Sequence, residues 1–298
     1  MNTPRYLRFA RFWLGLALLA LAARAEDEPP KPAAAPGYLG ELLDRIPNLG
    51  SLELPSFMPE GMFRFYSSPH FGDLLHRDYV RVPVGMRAKL RDQLEVHAEV
   101  EGYFTHGLSD AAGYGFDRLG VGGKYVFTPD SPTDAAWSTG LDLATPLSRP
   151  PSELSDGHRH IVPNIAVSRP IFPAWRLLGY GTLGADLLSH TALPANFGRN
   201  QLHTDALTLA AGVARDWPSF NTSLTATYAT SALLSDENAH VFSLRPAVII
   251  PLTRMQGKRT RLILTLSARS TWGPDGHEFG TSANLRVDFL FRSRKDLK

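Results

Sequence analysis

The sequence contains no cysteine, so disulfide frameworks, thiol nucleophiles and cysteine-ligated zinc are excluded. It also lacks long apolar runs, because no stretch after the first 25 residues approaches the 18 consecutive apolar residues of a membrane-spanning helix. Basic residues are spread along the chain and the net charge is only +2, so no basic stripe points to nucleic acid. Hydrophobic residues make up 43% and charged residues 20%, which excludes a wholly disordered chain.

The first residues have the three parts of a secretory signal peptide. Arg5, Arg8 and Arg11 give a positive start, and the apolar run Phe12–Ala23 follows. The run is too short to span a bilayer comfortably, and small residues precede the acidic stretch that begins at Glu26. We therefore predict export with cleavage after residue 25. No cysteine is present there to carry a lipid anchor.

A linker and a short helix are predicted between the leader and the main domain. Residues 26–37 are rich in proline, alanine and charge. Apolar residues then recur at i, i+3, i+4 and i+7 from Leu39 to Ile46, which predicts an amphipathic helix over residues 38–46 that ends at Pro47. This helix lies outside the barrel predicted below or plugs it. The predicted division is 1–25 signal peptide, 26–60 periplasmic linker and helix, 61–291 barrel, and 292–298 C-terminal tail.

From Met62 onward the chain alternates between apolar and polar residues. Residues 80–90 place valine, methionine, alanine and leucine at every second position, and the same period resumes at Leu94 after a turn at 91–93. Because successive strand residues face opposite sides, this pattern predicts a hairpin with one apolar and one charged face. Its register places Lys89 opposite Glu95.

Similar alternating segments continue to the C-terminus and predict an all-β fold of about twelve antiparallel strands. The connections predicted to be long are 68–78, 105–115, 148–158, 191–203, 232–239 and 273–278. The intervening connections are mostly shorter. An even strand number, with long loops at one rim and short turns at the other, is typical of an up-and-down transmembrane barrel of the bacterial outer membrane. The competing interpretation is a secreted soluble β domain with its apolar face inward.

Charge and aromatic placement favour the membrane barrel, with apolar residues facing lipid and a polar lumen. The polar set mixes charged residues with glycine, whereas the apolar set carries almost no charge at mid-strand. The predicted lumen-lining residues are Arg81, Arg87, Lys89, Glu95, Glu99, Glu101, Lys124, Asp142, Asp186, Arg245, Arg261, Arg269, Arg286 and Asp288. The predicted membrane-interface aromatics at strand ends are Trp137, Trp175, Trp217, Phe220, Trp272 and Phe291.

Two segments resemble known outer-membrane proteins. Residues 279–291 resemble the terminal strand of Gram-negative outer-membrane proteins, which ends in an aromatic residue, although the chain continues from Arg292 to Lys298. The glycine-rich stretch Gly115–Phe127 resembles a strand of outer-membrane transporters of the phenol meta-degradation pathway. That second resemblance implies passage or uptake of small, often hydrophobic molecules.

Candidate chemistry outside the lumen is sparse. His158 and His160 would project to the same side of an extended segment and could offer two imidazoles to a metal, but a solvated loop-end pair is the simpler interpretation. The same holds for Asp73, His76 and Asp78, which could bind a cation or form part of a hydrolytic site. No Gly-x-Ser-x-Gly motif and no phosphate-binding loop is present. We therefore predict no catalytic residues, no metal and no cofactor.

These observations predict a channel or transporter in the outer membrane of a Gram-negative bacterium, with periplasmic termini. Small solutes would cross passively or be taken up through the charged lumen. The predicted partners are outer-membrane lipid, small solutes and the barrel-assembly machinery through the C-terminal strand, but not nucleic acid. Two alternatives remain at this point. One is an outer-membrane enzyme that hydrolyses lipid or peptide at the extracellular loop rim, and the other is a structural barrel with a blocked lumen.

Overall fold

Twelve β-strands make up almost all of the regular structure in the computed structural model of the chain. It describes residues 62–70, 79–90, 93–106, 113–127, 134–147, 149–151, 154–193, 200–252 and 260–292. The strands are β1 Met62–Ser67, β2 Tyr79–Lys89, β3 Leu94–Thr105, β4 Tyr114–Phe127, β5 Ala136–Pro146, β6 His158–Phe172, β7 Leu177–His190, β8 Ala206–Asp216, β9 Asn221–Thr230, β10 His240–Pro251, β11 Thr260–Gly273 and β12 Gly276–Arg292. The predicted signal peptide, linker, 38–46 helix and C-terminal tail lie outside the described residues.

Each strand pairs antiparallel with its sequence neighbours, and β1 pairs with β12 to close the sheet into a barrel. The predicted fold class, an all-β up-and-down barrel of twelve strands, is therefore confirmed. The β2–β3 register is also as predicted, with Lys89 opposite Glu95. Closure gives every strand a hydrogen-bonded neighbour on both sides, although the seam at β1 is short, with six register pairs to the 17-residue β12 and five to β2.

The strand connections lie at two rims. We call the end that carries the β1–β2, β3–β4, β5–β6, β7–β8, β9–β10 and β11–β12 connections the long-loop rim, and the opposite end the short-turn rim. The one described helical segment, a 3-10 turn at Pro173–Trp175, belongs to the short-turn rim between β6 and β7. No helix among the described residues has the length and apolar character needed to cross a membrane.

The β11–β12 connection differs from the predicted long loop at 273–278. Gly273 pairs directly with Gly276, so only Pro274 and Asp275 lie between the two strands. Proline favours the second position of a tight turn, and Gly276 has a φ of 90°, a left-handed conformation that glycine adopts without strain. The composition of 273–278 predicted a loop, but proline and glycine favour a tight turn here, so the connection is only two residues long.

Exposure alternates along the strands and separates an outer from an inner face. On β2, the outward Val84 and Met86 are 53% and 43% exposed, whereas the inward Arg87, which follows Met86, is 8% exposed. Outward Leu183 and Leu209, which are register partners on β7 and β8, are 51% and 54% exposed. The outer face is therefore a broad apolar surface. Charged and small residues occupy most of the inner face.

An arginine on the outer face tests this assignment. Leu266 is 43% exposed at the middle of β11. Leu266→Arg should destabilise folding into lipid vesicles by about 2–4 kcal/mol, because a cation would face the bilayer interior. The midpoint of urea unfolding measures this loss.

The matched control is Ser282→Arg, at an exposed inner position beside the register partner of Leu266. Since the new cation would face the lumen, the change should stay within about 1 kcal/mol. Equal losses in the two variants would contradict the assignment of the faces.

Candidate functional site

The candidate site is the inner wall of the barrel, where charged side chains on β2, β3 and β4 contact one another. Glu101 is 4% exposed and lies between two cations, with Arg118 Nη2 at 2.9 Å and Arg81 Nη1 at 3.7 Å. Three inward positions closer to the short-turn rim on β3, Glu95 Oε2 lies 3.4 Å from Lys124 Nζ. These residues come from neighbouring strands, so the ion pairs link β2, β3 and β4 at two levels along the barrel axis.

A β-bulge adds a carboxylate that the alternating pattern did not reveal. The β3–β4 register shifts between Glu101 and Gly102, which leaves one extra residue on β4. As a result Asp117 and Arg118 are consecutive in sequence, yet Asp117 is 2% exposed while Arg118 reaches Glu101. Sequence reasoning missed Asp117 because a bulge interrupts the two-residue period on which the prediction depended.

Inward glycines let polar side chains contact partners two strands away. Three such contacts cross a glycine that is in register with both partners, and a Cβ on that glycine would overlap one or both partner side chains. They are Tyr66 to Glu99 over Gly85 at 2.8 Å, His97 to Asp142 over Gly122 at 3.2 Å, and Tyr180 to Thr225 over Gly212 at 2.6 Å. The sequence showed glycines facing inward, but not that they serve these contacts.

The contact over Gly122 extends into a longer network. Asp142 accepts a hydrogen bond from Asn164 Nδ2 at 3.0 Å in addition to its contact with His97. Side chains from β3, β5 and β6 are thereby joined across the surface of β4 and β5. Asp142 and Asn164 are 9% and 6% exposed, so this part of the network is largely shielded from solvent.

Charge is segregated around the inner wall. Among the described side chains, β10, β11, β12, β1 and β2 carry mainly cations, and β3 to β7 carry most of the carboxylates. We call the first group the basic arc, with Arg245, Arg269, Arg286, Arg64, Arg81, Arg87 and Lys89. We call the second the acidic arc, with Glu95, Glu99, Glu101, Asp117, Asp142 and Asp186. Lys124 and Arg118 lie within the acidic arc, and Glu278 lies at the long-loop end of the basic arc.

The remaining predicted lumen residues occupy different settings. Arg245 donates to Ser267 at 3.4 Å, and the Arg286 guanidinium lies 5.2 Å from the centre of the Tyr66 ring. Arg269 is exposed on the inner face. Arg261 and Asp288 are register partners on β11 and β12, but their side chains lie outside what the structure describes.

The inner wall also contains an apolar patch that the alternating pattern did not predict. Its members come from β6, β7, β8, β10 and β11 and lie mostly towards the short-turn rim. They are Val162, Leu178, Tyr180, Ala210, Ala214, Ile249 and Ile263, and we call them the apolar inner patch. Leu178, Ile249 and Ile263 are at most 1% exposed. The lumen is therefore not uniformly polar.

A histidine–aspartate cluster fastens the long-loop rim at β6 and β7. His160 Nε2 lies 3.0 Å from Asp156 Oδ2, and its Nδ1 lies 2.9 Å from Asp186 Oδ1. His158 Nε2 lies 3.0 Å from His190 Nδ1. The predicted solvated loop-end pair is thus a network of buried and half-buried groups, because the fold brings together residues from three segments.

Both ring nitrogens of His160 are occupied by carboxylates, so neither is directed at a shared central point. In the described part of the chain, no group of three or more histidine, aspartate or glutamate side chains is arranged to hold a metal ion. Asp73, His76 and Asp78 lie outside the described residues. His203 is exposed in the β7–β8 connection.

Strand-end aromatics are mostly exposed. Trp175, Trp137 and Trp272 are 64%, 49% and 43% exposed, and Phe220 is half-buried. Trp217 differs, with 8% exposure, because the Arg215 guanidinium lies 3.7 Å from its ring centre and Phe220 stacks against it. The side chain of Phe291 lies outside the described residues.

Comparisons with known proteins identify the fold and no family. No protein-family model and no curated protein matches the chain. Among solved structures, an outer-membrane channel from Pseudomonas putida F1 aligns with 81% of this chain and 100% of its own length, at 11% identity and a TM-score of 0.52. The KdgM porin aligns with 78% of this chain and 99% of its own, at 7% identity and a TM-score of 0.45. The NanC porin covers the same shares at 8% identity and a TM-score of 0.43. The chain shares the barrel fold of the Pseudomonas channel.

Alanine at Gly122 tests the contacts over glycine. A Cβ there would overlap Asp142 Oδ1 and the His97 ring, so Gly122→Ala must displace both partners. We expect a loss of about 1–3 kcal/mol in the free energy of unfolding. At Gly120 on the same strand, the nearest atoms to an added Cβ are at 3.9 and 4.0 Å, so Gly120→Ala should be tolerated. Equal effects of the two substitutions would refute this role for Gly122.

The long-loop rim should weaken in acid through Asp156. Burial alone would raise the pKa of Asp156, but hydrogen bonds from His160 and from the backbone N–H of His158 outweigh burial and hold that pKa below its usual range. A carboxyl with a lowered folded-state pKa stabilises the fold above its unfolded pKa, and this contribution is lost as the pH falls through the folded value.

Asp156→Asn should therefore lower stability at neutral pH, and the gap between variant and parent should narrow only below about pH 4. Urea midpoints measured across pH check this result. The matched control is Asp236→Asn in the β9–β10 connection, where the carboxyl is exposed. If the difference in urea midpoint between Asp156→Asn and the parent protein stays the same in acid, the stabilising role of ionised Asp156 is contradicted.

Proposed function

We propose that the chain is an outer-membrane channel that passes small solutes through a polar, charge-segregated lumen. The observation that carries this proposal is the basic arc of the inner wall standing beside an acidic arc, inside a barrel whose outer face is apolar. Cations on one wall and carboxylates on the other produce a transverse field, which screens solutes by charge and dipole. The fold shared with the Pseudomonas outer-membrane channel supports the same assignment.

The asymmetry of the rims supports an orientation. Outer-membrane barrels carry short turns on the periplasmic side and longer loops outside. We therefore propose that the short-turn rim, where Met62 and Arg292 pair, faces the periplasm. The histidine–aspartate cluster and the long β7–β8 connection would then surround the external mouth.

One further contact joins two loops at the proposed external rim. Asn200 in the β7–β8 connection donates its backbone N–H to Asp275 at 2.8 Å and accepts from the Asp275 backbone N–H at 3.1 Å. Asp275 lies at the tip of the β11–β12 hairpin. The β7–β8 connection therefore reaches the β11–β12 hairpin, beyond β9 and β10 in the ring.

A hydrolytic enzyme at this rim is less well supported. General-base catalysis requires a histidine nitrogen that can accept a proton from a nucleophile or water. Both nitrogens of His160 contact carboxylates, and His158 is held by the Asp156 carbonyl oxygen and by His190. The cluster is therefore better suited to linking β6, β7 and the β5–β6 connection than to acid–base chemistry.

The glycine-rich β4 supports a narrower hypothesis. Residues 115–127 lie within this strand and resemble a strand of transporters of the phenol meta-degradation pathway. Uptake of small, often hydrophobic molecules would follow from membership of that family. Liposome swelling with an aromatic solute and with a sugar of similar size would test it, since equal rates would remove the preference.

Reversing one charge on the basic arc tests the channel itself. Arg269 is exposed on the inner face, so Arg269→Glu should raise the cation-to-anion permeability ratio in planar bilayers by roughly two-fold or more. The ratio is obtained from the reversal potential in a salt gradient.

The matched control is Arg159→Glu, because Arg159 is exposed on the outer face of β6. It should leave the ratio unchanged. A shift of equal size in both variants would overturn the proposed lumenal field. A folded barrel that conducts no ions, with or without the residues before β1, would overturn the channel assignment and favour a structural barrel.

A further inference from the structure

Two arginines stand opposite each other on the inner wall of β10 and β11. The register pairs on either side, 244 with 270 and 247 with 267, place Arg245 opposite Arg269. Their positive charges lie close enough to repel each other. Because like charges in opposed cross-strand positions destabilise a sheet, this pair favours a negatively charged partner beside the two guanidinium groups.

The pair is accessible from the lumen. Arg269 is exposed and Arg245 is half-buried. Gly280 lies opposite Arg269 on β12, and apart from its chain neighbours no described atom lies within 4 Å of the place that a Cβ would occupy there. A solute can therefore enter the open space beside Arg269. By contrast, Arg64 and Arg87, which are opposed on β1 and β2, are only 4% and 8% exposed.

Two serine hydroxyls lie beside the arginine pair, towards the short-turn rim. Arg245 Nε donates to Ser267 Oγ at 3.4 Å, and Ser267 Oγ lies 2.7 Å from Ser282 Oγ on β12. Each hydroxyl has one hydrogen, so whichever serine donates within the pair, the hydrogen of the other stays available to a further acceptor. Ser282 is exposed on the inner face, so a solute beside Gly280 can reach this donor pair.

No carboxylate among the described side chains forms an ion pair with Arg269. Glu278 is exposed one inward position nearer the long-loop rim on β12, but it does not contact this guanidinium. The acidic arc is carried by β3 to β7, and none of those strands is adjacent to β10 or β11. A bound anion would therefore supply the negative charge that this section of the wall lacks.

We propose that Arg245 and Arg269, with Ser267 and Ser282, form a lumenal subsite that binds the oxyanion of a permeating solute, a carboxylate or a phosphate group. Guanidinium groups bind such oxyanions through charge-assisted hydrogen bonds, which are stronger than those between neutral groups. The subsite rests on the proposed channel function, because it names the class of solute that the channel would select. Unlike a general lumenal field, it is saturable and distinguishes an oxyanion from chloride at equal ionic strength.

Chemical modification of arginine measures occupancy without depending on conductance. Phenylglyoxal reacts with accessible guanidinium groups, and peptide mass spectrometry follows the reaction at each arginine of the folded full chain. Inorganic phosphate or acetate should slow modification of Arg269 by about five-fold, relative to potassium chloride of equal ionic strength. Arg149, which is exposed in the β5–β6 connection, is the internal control and should react equally in every salt. Equal rates at Arg269 in every salt would overturn the subsite.

Substitutions test whether the groups act together. Arg245→Gln should abolish the protection of Arg269, because the oxyanion loses one of two guanidinium partners, whereas Arg245→Lys keeps the charge and should retain part of it. Ser282→Ala removes only an exposed hydroxyl and should weaken the protection. Arg159→Gln, on the outer face, should leave it unchanged.

A heat-modifiability gel establishes that each of these variants is folded. Protection of Arg269 that survives unchanged in both Arg245→Gln and Ser282→Ala would overturn the assignment of these residues. Ser282→Ala keeps that test valid if Arg245→Gln does not fold.

Conductance separates the subsite from the function on which it rests. Added phosphate should reduce the potassium chloride conductance of planar bilayers in a saturable way, and Arg269→Gln should raise the half-maximal concentration about ten-fold. Protection of Arg269 in a folded barrel that conducts no ions would support the subsite and overturn the channel. Conduction together with equal modification rates at Arg269 in every salt would overturn the subsite and leave the channel standing.

Discussion

Closing one antiparallel sheet on itself is the constraint on which the rest of this structure depends. The pairing of β1 with β12 gives every strand a hydrogen-bonded partner on both sides, which closes the ring. Each residue must then face either outward or inward. The alternation of apolar and charged residues decides which residues face lipid and which face the lumen. A register shift of one residue would reverse the two faces of a strand.

The inner wall is held together by contacts that skip a strand. Tyrosine and histidine side chains reach over Gly85, Gly122 and Gly212 to partners on the strand beyond. Adjacent-strand ion pairs such as Lys124 to Glu95 add to these. Because several partners are nearly buried, leaving one of them unpaired would be costly. Glycine on this wall therefore has a definite role, which is to leave space for a neighbour's side chain.

Different heights of the barrel have different chemistry. The long-loop rim carries the histidine–aspartate cluster and the tie between Asn200 and Asp275. The middle carries exposed charges such as Arg269, and the short-turn end carries the apolar inner patch. The short-turn end also carries charge, in Arg64, Arg87 and the Lys124–Glu95 pair, so the apolar inner patch occupies one side of the wall there.

The alternating pattern was sufficient to predict the strand number, the antiparallel order and the β2–β3 register, since these follow from a period of two and from short connections. It did not reveal Asp117 beside Glu101, because a bulge breaks that period. It also misjudged 273–278, where turn geometry rather than polarity decided the length of the connection.

What the sequence by itself determined is the class of fold and the side of the wall on which most charges stand, because both depend on local alternation. Only the tertiary structure decided which side chains meet. His160 contacts carboxylates from two other segments, His97 reaches Asp142 over Gly122, and Leu178 joins Ile263 in one apolar patch. These contacts depend on the register between strands and on ring closure, which bring together residues that are distant in sequence.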